Sequence, residues 1–160
     1  LEIRSRMLAR QTITLRTSYC STHLRRDFNI ASAKMYVYAL NRKYKAQISE
    51  ALSDLHWQIS IVGADPSLLQ FGPLDVSWLE CGTFDFMMVS AESASMLRAL
   101  RKVDELVARL HAAEREQLIT REQRRAIIAP INLAYVGLKQ IAMKLSNKSI
   151  EELLAETNMA

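Results

Sequence analysis

Residues 11–17, Gln-Thr-Ile-Thr-Leu-Arg-Thr, alternate strictly, with Ile13 and Leu15 pointing one way and Thr12, Thr14 and Arg16 the other. Two threonines and an isoleucine at period two describe a short strand with one apolar and one polar face. Such a strand cannot satisfy its own backbone N–H and C=O groups, so it must pair. No hairpin mate follows within the next 40 residues. A second copy of the same strand, brought by another chain, is the economical partner. The plain alternative is an in-chain α+β sheet with the only other strong strand candidate, 83–89 (Thr-Phe-Asp-Phe-Met-Met-Val).

The rest of the chain is mostly helical in pattern. With 160 residues, 49% hydrophobic content, four Gly and three Pro, it can bury one sizeable core. Ser18 or Ser21 can cap a short helix to about Phe28, with a break at Asn29. Ser32 can open a longer helix over about 33–59, although Met35, Tyr38, Leu40, Ile48, Leu52 and Leu55 keep helical spacing only loosely. Residues 63–83 hold three of the four Gly and two of the three Pro and read as irregular, with a short strand at 75–79. Ser90 reads as the N-cap of a helix to about 117, striped by Met96, Leu97, Leu100, Val103, Leu106, Val107 and Leu110. Thr120-Arg-Glu-Gln123 is a capping box for a helix to about 145, in which Pro130 should produce a kink or a split. Ser149-Ile-Glu-Glu152 is a second capping box, for a terminal helix. Three stretches follow: 1–62 (strand–helix–helix), 63–89 (irregular) and 90–160 (helical hairpin plus terminal helix), with the first and last packed as one domain.

Catalytic and metal chemistry find little support. His23, His56 and His111 stand alone, with no HExxH and no Cys/His pair at metal spacing. No GxSxG, Walker A or GxGxxG motif is present, so no cofactor and no enzymatic role are expected. Cys81 beside Gly82 reads as a small buried hydrophobe before it reads as a nucleophile. Two cysteines without CxxC suit a reducing, cytoplasmic compartment. No apolar run reaches the roughly 18 residues of a membrane span, so no membrane partner is expected.

Charge is more informative. Residues 1–50 hold ten Lys and Arg against three acids, a local charge of +7, whereas the remaining 110 residues carry −3. That is the footprint of an anion-binding module on a near-neutral scaffold, or else a solvated basic face. Strand, short helix, break and Ser-opened helix, all inside this basic segment, reproduce the order of a ribbon–helix–helix protein. In that arrangement two strands pair across a dimer axis and present their polar face to the major groove of double-stranded DNA. Thr12, Thr14 and Arg16 suit base contacts. Arg10, Arg25 and Arg26 suit phosphates, as do Ser32 and Lys34 at a helix N-terminus. Strand 83–89 with the helices after it repeats the order, but it lacks a basic face.

Four short motifs add a resemblance: Leu15-Arg-Thr17, Phe71-Gly-Pro-Leu74, Asp104-Glu-Leu-Val107 and Gln117-Leu-Ile-Thr-Arg121. In these the chain resembles the AcaB family of plasmid and integrating conjugative element proteins. The resemblance implies a ribbon–helix–helix transcriptional activator that switches on conjugative transfer genes, with RNA polymerase as a further partner and no cofactor. The expectation is therefore a mainly α, α+β homodimer with an added C-terminal helical hairpin. The alternative is a helical interaction protein of the conjugation machinery that docks a partner through the 96–110 stripe. A ligand-sensing pocket around 63–89 stays open.

Overall fold

The structure is a computed structural model that describes residues 9–26, 28–40, 42–80 and 82–142. It is mainly helical with one two-stranded antiparallel sheet, an α+β architecture. Strand β1 (Ala9–Leu15) is followed by a π-helical turn (Tyr19–Leu24), helices α1 (Phe28–Ala39) and α2 (Arg42–Gly63), and the single turn α3 (Pro66–Leu69). Strand β2 (Gly82–Met88) and helices α4 (Ala91–Arg115) and α5 (Arg121–Ala142) complete the order.

The partner of β1 is β2 of the same chain. Ala9 lies opposite Met88 and Leu15 opposite Gly82, so all seven residues of each strand are paired. This removes the argument for a strand from a second chain, because the backbone groups on that side of β1 are already met. The strand also starts two residues earlier than the alternation suggests and ends before Arg16. Past Leu15 the chain turns toward Asp104: the backbone N–H groups of Arg16 and Thr17 donate to its carboxylate at 2.9 and 3.0 Å instead of to a strand.

Both strands therefore open a strand–helix–helix unit, and the two units share one ribbon. The first runs from β1 through the π-helical turn into α1; the second runs from β2 through α4 into α5. The inner face of the ribbon supplies Ile13, Leu15 and Phe86 to a single buried cluster that extends through Leu24, Met35, Leu55, Leu100 and Ile131 to Ala142. Phe28 meets Phe86 edge to face, with ring centroids 5.0 Å apart.

Several boundaries differ from the sequence-based expectation, each for a local reason. The break foreseen at Asn29 falls earlier, with a turn at Arg25 and Arg26, and α1 begins at Phe28. Asn29 stays helical while its side-chain oxygen accepts the Met87 N–H at 3.1 Å. The long helix foreseen over 33–59 is two helices that change phase near Leu40; one buries Met35 and Val37, the other Ile48, Leu52, Leu55, Ile59 and Val62. No strand forms at 75–79. Asp75 instead accepts the N–H and the hydroxyl of Ser77 at 2.9 and 2.6 Å, a local turn that competes with strand pairing.

The helical hairpin of 91–142 is present. Ser90 accepts the Ser93 N–H, and Ser93 reciprocates by accepting the Ser90 N–H at 3.0 Å. Thr120 and Gln123 form the expected capping box at 2.7 and 3.1 Å. Pro130 does not split α5, which runs as one helix through an exposed proline. There the carbonyl of Ala126, an exposed residue, loses its N–H donor. The α4 stripe at Met96, Leu97, Leu100, Val103, Val107 and Leu110 is buried in the chain's own core, so it is not a surface for a partner. The capping box at Ser149 and the residue Cys81 lie outside the described residues. Among the described residues no helix is long and apolar enough to cross a membrane.

Candidate nucleic-acid interface

Period-two alternation puts Arg10, Thr12 and Thr14 on the outer face of the ribbon, directly opposite Met87, Asp85 and Thr83. Arg10, Thr12, Thr14, Thr83 and Asp85 are exposed, whereas Ile13, Leu15 and Phe86 beneath them are buried. The face is organised by cross-strand pairs. Thr12 Oγ1 donates to Asp85 Oδ1 at 2.7 Å, and the Thr14 and Thr83 hydroxyls lie 3.4 Å apart. It thus offers hydroxyls, one guanidinium and one carboxylate. Hydroxyls can donate or accept, and a carboxylate can accept from the amino group of cytosine. Asp85 was missed as part of this face because pairing of 83–89 with β1 stood in the sequence only as the alternative, and 83–89 by itself shows no basic face.

The remaining sequence-derived candidates scatter. Arg16 leaves the ribbon: one of its guanidinium nitrogens sits 3.4 Å from the Val76 carbonyl. Arg25 stacks 4.2 Å above the Phe84 ring, and its Nε donates to the Ser21 carbonyl at 2.6 Å, so it seals the edge of the inner face. Arg26 is exposed in the turn before α1. Ser32 and Lys34 lie within α1 and in the interior, at 1% and 6% exposure, and neither opens a helix. The Ser32 hydroxyl donates to the Met87 carbonyl at 3.0 Å, tying α1 to β2. The ribbon thus keeps Arg10, Thr12 and Thr14 together, with Arg26 as an exposed cation outside it.

Three of the four motifs of the family resemblance meet at the other end of β1. The Asp104 carboxylate, 5% exposed, accepts the N–H groups of Arg16 and Thr17 and the Thr17 hydroxyl, the last at 2.7 Å. Pro73 and Leu74 line the same cleft as Arg16 and Asp104. The fourth motif, 117–121, forms the turn between α4 and α5.

Titratable groups elsewhere suit structure better than chemistry. Burial pushes the Cys20 thiol well above its ordinary range, and burial does the same to the Tyr19 phenol, whose hydroxyl donates to Asn132 at 2.6 Å. A thiol so far from thiolate is a poor nucleophile. Among the described residues no group of three or more metal-ligating side chains comes together.

No family model matches the chain, and no curated protein matches it by sequence. Among solved structures, the chain is similar to selenomethionine-containing AcaB from uropathogenic E. coli, with a TM-score of 0.65 at 14% identity. The match covers 94% of this chain and 81% of that one, and at this identity it shows a shared fold.

Proposed function

We propose that this chain is a DNA-binding transcriptional regulator without enzymatic activity, which inserts its β1–β2 ribbon into the major groove. The supporting observation is the ribbon's outer face: polar and solvent-exposed at Arg10, Thr12, Thr14, Thr83 and Asp85, on a base of buried Ile13, Leu15 and Phe86. A two-stranded ribbon is one of the shapes the major groove admits. Likeness in fold to AcaB, together with the sequence resemblance to that family, favours regulation of conjugative transfer genes, with activation as the expected sign. A ribbon closed within one chain needs no second copy to build the reading surface, so a homodimer would bring two ribbons to two half-sites. The intracellular setting of such a regulator is cytoplasmic.

The test is fluorescence anisotropy of the intact chain on promoter duplexes and on scrambled duplexes, across a salt series. Binding that favours one fragment and weakens steeply with salt supports the reading. Weak binding without preference removes it.

One observation favours a second reading, a protein-interaction role. Between α2 and α5 lies an open groove of about 930 Å³ in which Trp57 and Leu133 are 64% and 72% exposed. Large apolar groups so exposed in one groove are a feature of interaction surfaces. Association through it would respond little to salt.

A further inference from the structure

A second cleft, of about 440 Å³, lies between the C-terminal end of β1, the 73–76 segment and the flank of α4. That volume is in the range of small-molecule sites, about 300–1,000 Å³. Pro73, Leu74 and Val76 supply apolar wall over a floor at the buried Leu15 and Ala108, and Arg16, Arg101 and Arg109 supply three guanidinium groups. Two carboxylates also line it, Asp104 and Glu105. The Asp104 charge is already committed to three donors, the Arg16 and Thr17 amides and the Thr17 hydroxyl. Arg101, Glu105 and Arg109 stand at successive i, i+4 positions on α4, yet among the described residues neither arginine forms an ion pair with Glu105. One long hydrogen bond, 3.4 Å to the Leu68 carbonyl, occupies Arg109. A guanidinium carries five N–H donors in a fork that matches a carboxylate or sulfonate.

We propose that this cleft binds a small organic anion, its acidic group on Arg101 and Arg109 and its apolar body against Pro73, Leu74 and Val76. The apolar wall separates this chemistry from a DNA phosphate contact, which needs no such surface. Because Asp104 holds the chain where it leaves β1, an occupant of the cleft touches the segment that anchors the ribbon. An effect on DNA affinity would rest on the function proposed above; binding itself does not, and it is measured without DNA.

The probe is 1-anilinonaphthalene-8-sulfonate, an aromatic sulfonate, titrated into the intact chain and followed by its fluorescence. Saturable one-to-one binding is expected. It should weaken about ten-fold or more in an Arg101→Gln/Arg109→Gln double variant, the loss of one or more charge-assisted contacts. It should disappear in Leu74→Trp, which fills the cleft. Trp57→Ser, in the α2–α5 groove, should leave it within about two-fold, since that groove is a separate site. Unchanged affinity in the arginine double variant overturns the proposal, as does loss of dye in Trp57→Ser or the absence of saturable binding. Should Leu74→Trp fail to fold by circular dichroism, the arginine variant, confined to the helix surface, decides the outcome.

Discussion

Asp104 carries a carboxylate into the interior and meets three donors there, two of them backbone amides from the end of β1. Charge-assisted bonds of this kind contribute more than neutral ones, and a buried partner left unpaired costs more again. In Asp104→Asn one carboxylate oxygen becomes an NH2 that faces a donor. A loss of about 3 kcal/mol is expected, roughly 6–12 °C in Tm for a chain this size, read by thermal or urea unfolding. Aspartate at this position was visible in the sequence only as part of a motif; its partners lie 87 and 88 residues away, and no local pattern reveals them. The histidines set a second expectation at this scale. His56 is held below its ordinary value of 6.5 by burial and then by Lys102, and His111 by burial and then by Arg124, with Glu114 too weak to offset them. A folded chain that binds these protons less readily than the unfolded one is stabilised as pH rises. Stability is therefore complete above about pH 6.5 and falls as pH drops below it toward the depressed values. Urea titrations at pH 7.5 and pH 5.5 should show a drop that shrinks in a His56→Gln/His111→Gln variant; an identical drop in that variant would assign it to other groups.

The turn between α4 and α5 shows how much local chemistry determines an element. Gln117 has φ of 61°, the left-handed region. Around it the Leu118 N–H donates to the Ala113 carbonyl at 2.9 Å and the Gln117 N–H to the Glu114 carbonyl at 3.0 Å, the double closure of a Schellman motif. A side chain in that conformation is strained, and glycine is not. Gln117→Gly should stabilise the chain by about 1 kcal/mol by equilibrium unfolding; a destabilised variant would show that the Gln117 side chain makes contacts that outweigh the backbone strain. The helix start that follows was legible because Thr120 and Gln123 bond to each other three residues apart. The end of the helix before it, expected at about 117, falls at Arg115, but the left-handed residue that closes it was not legible, because glutamine gives no signal for that conformation. The same contrast explains α1 and α2. Both are helical in propensity and both bury apolar residues in the same core, α1 through Met35 and Val37 and α2 through Ile48, Leu52 and Leu55, so one apolar pattern spread over both reads as a single loose helix.

Across the whole molecule, the two strand–helix–helix orders were legible as patterns, and their union in one ribbon was legible only as the alternative to a strand from a second chain, the alternative the structure adopts. Strand alternation reports which face is apolar and is silent on which strand lies alongside. The pairing of residues 9–15 with 82–88 depends on the intervening helices folding back, a contact more than 65 residues apart in sequence. Once made, it decides which candidates stay together: Arg10, Thr12 and Thr14 remain on the exposed face, Arg16 leaves it, and Ser32 and Lys34 become part of the interior. The central claim is that this face reads DNA, and the most direct measurement is the affinity of a Thr12→Ala/Thr14→Ala variant for its preferred duplex against scrambled duplex. With the helical circular dichroism unchanged, the variant should lose about 1–3 kcal/mol of specific affinity for each base contact removed and keep its non-specific binding. Equal loss on both duplexes, or no loss on either, would contradict the claim that the ribbon is the reading surface.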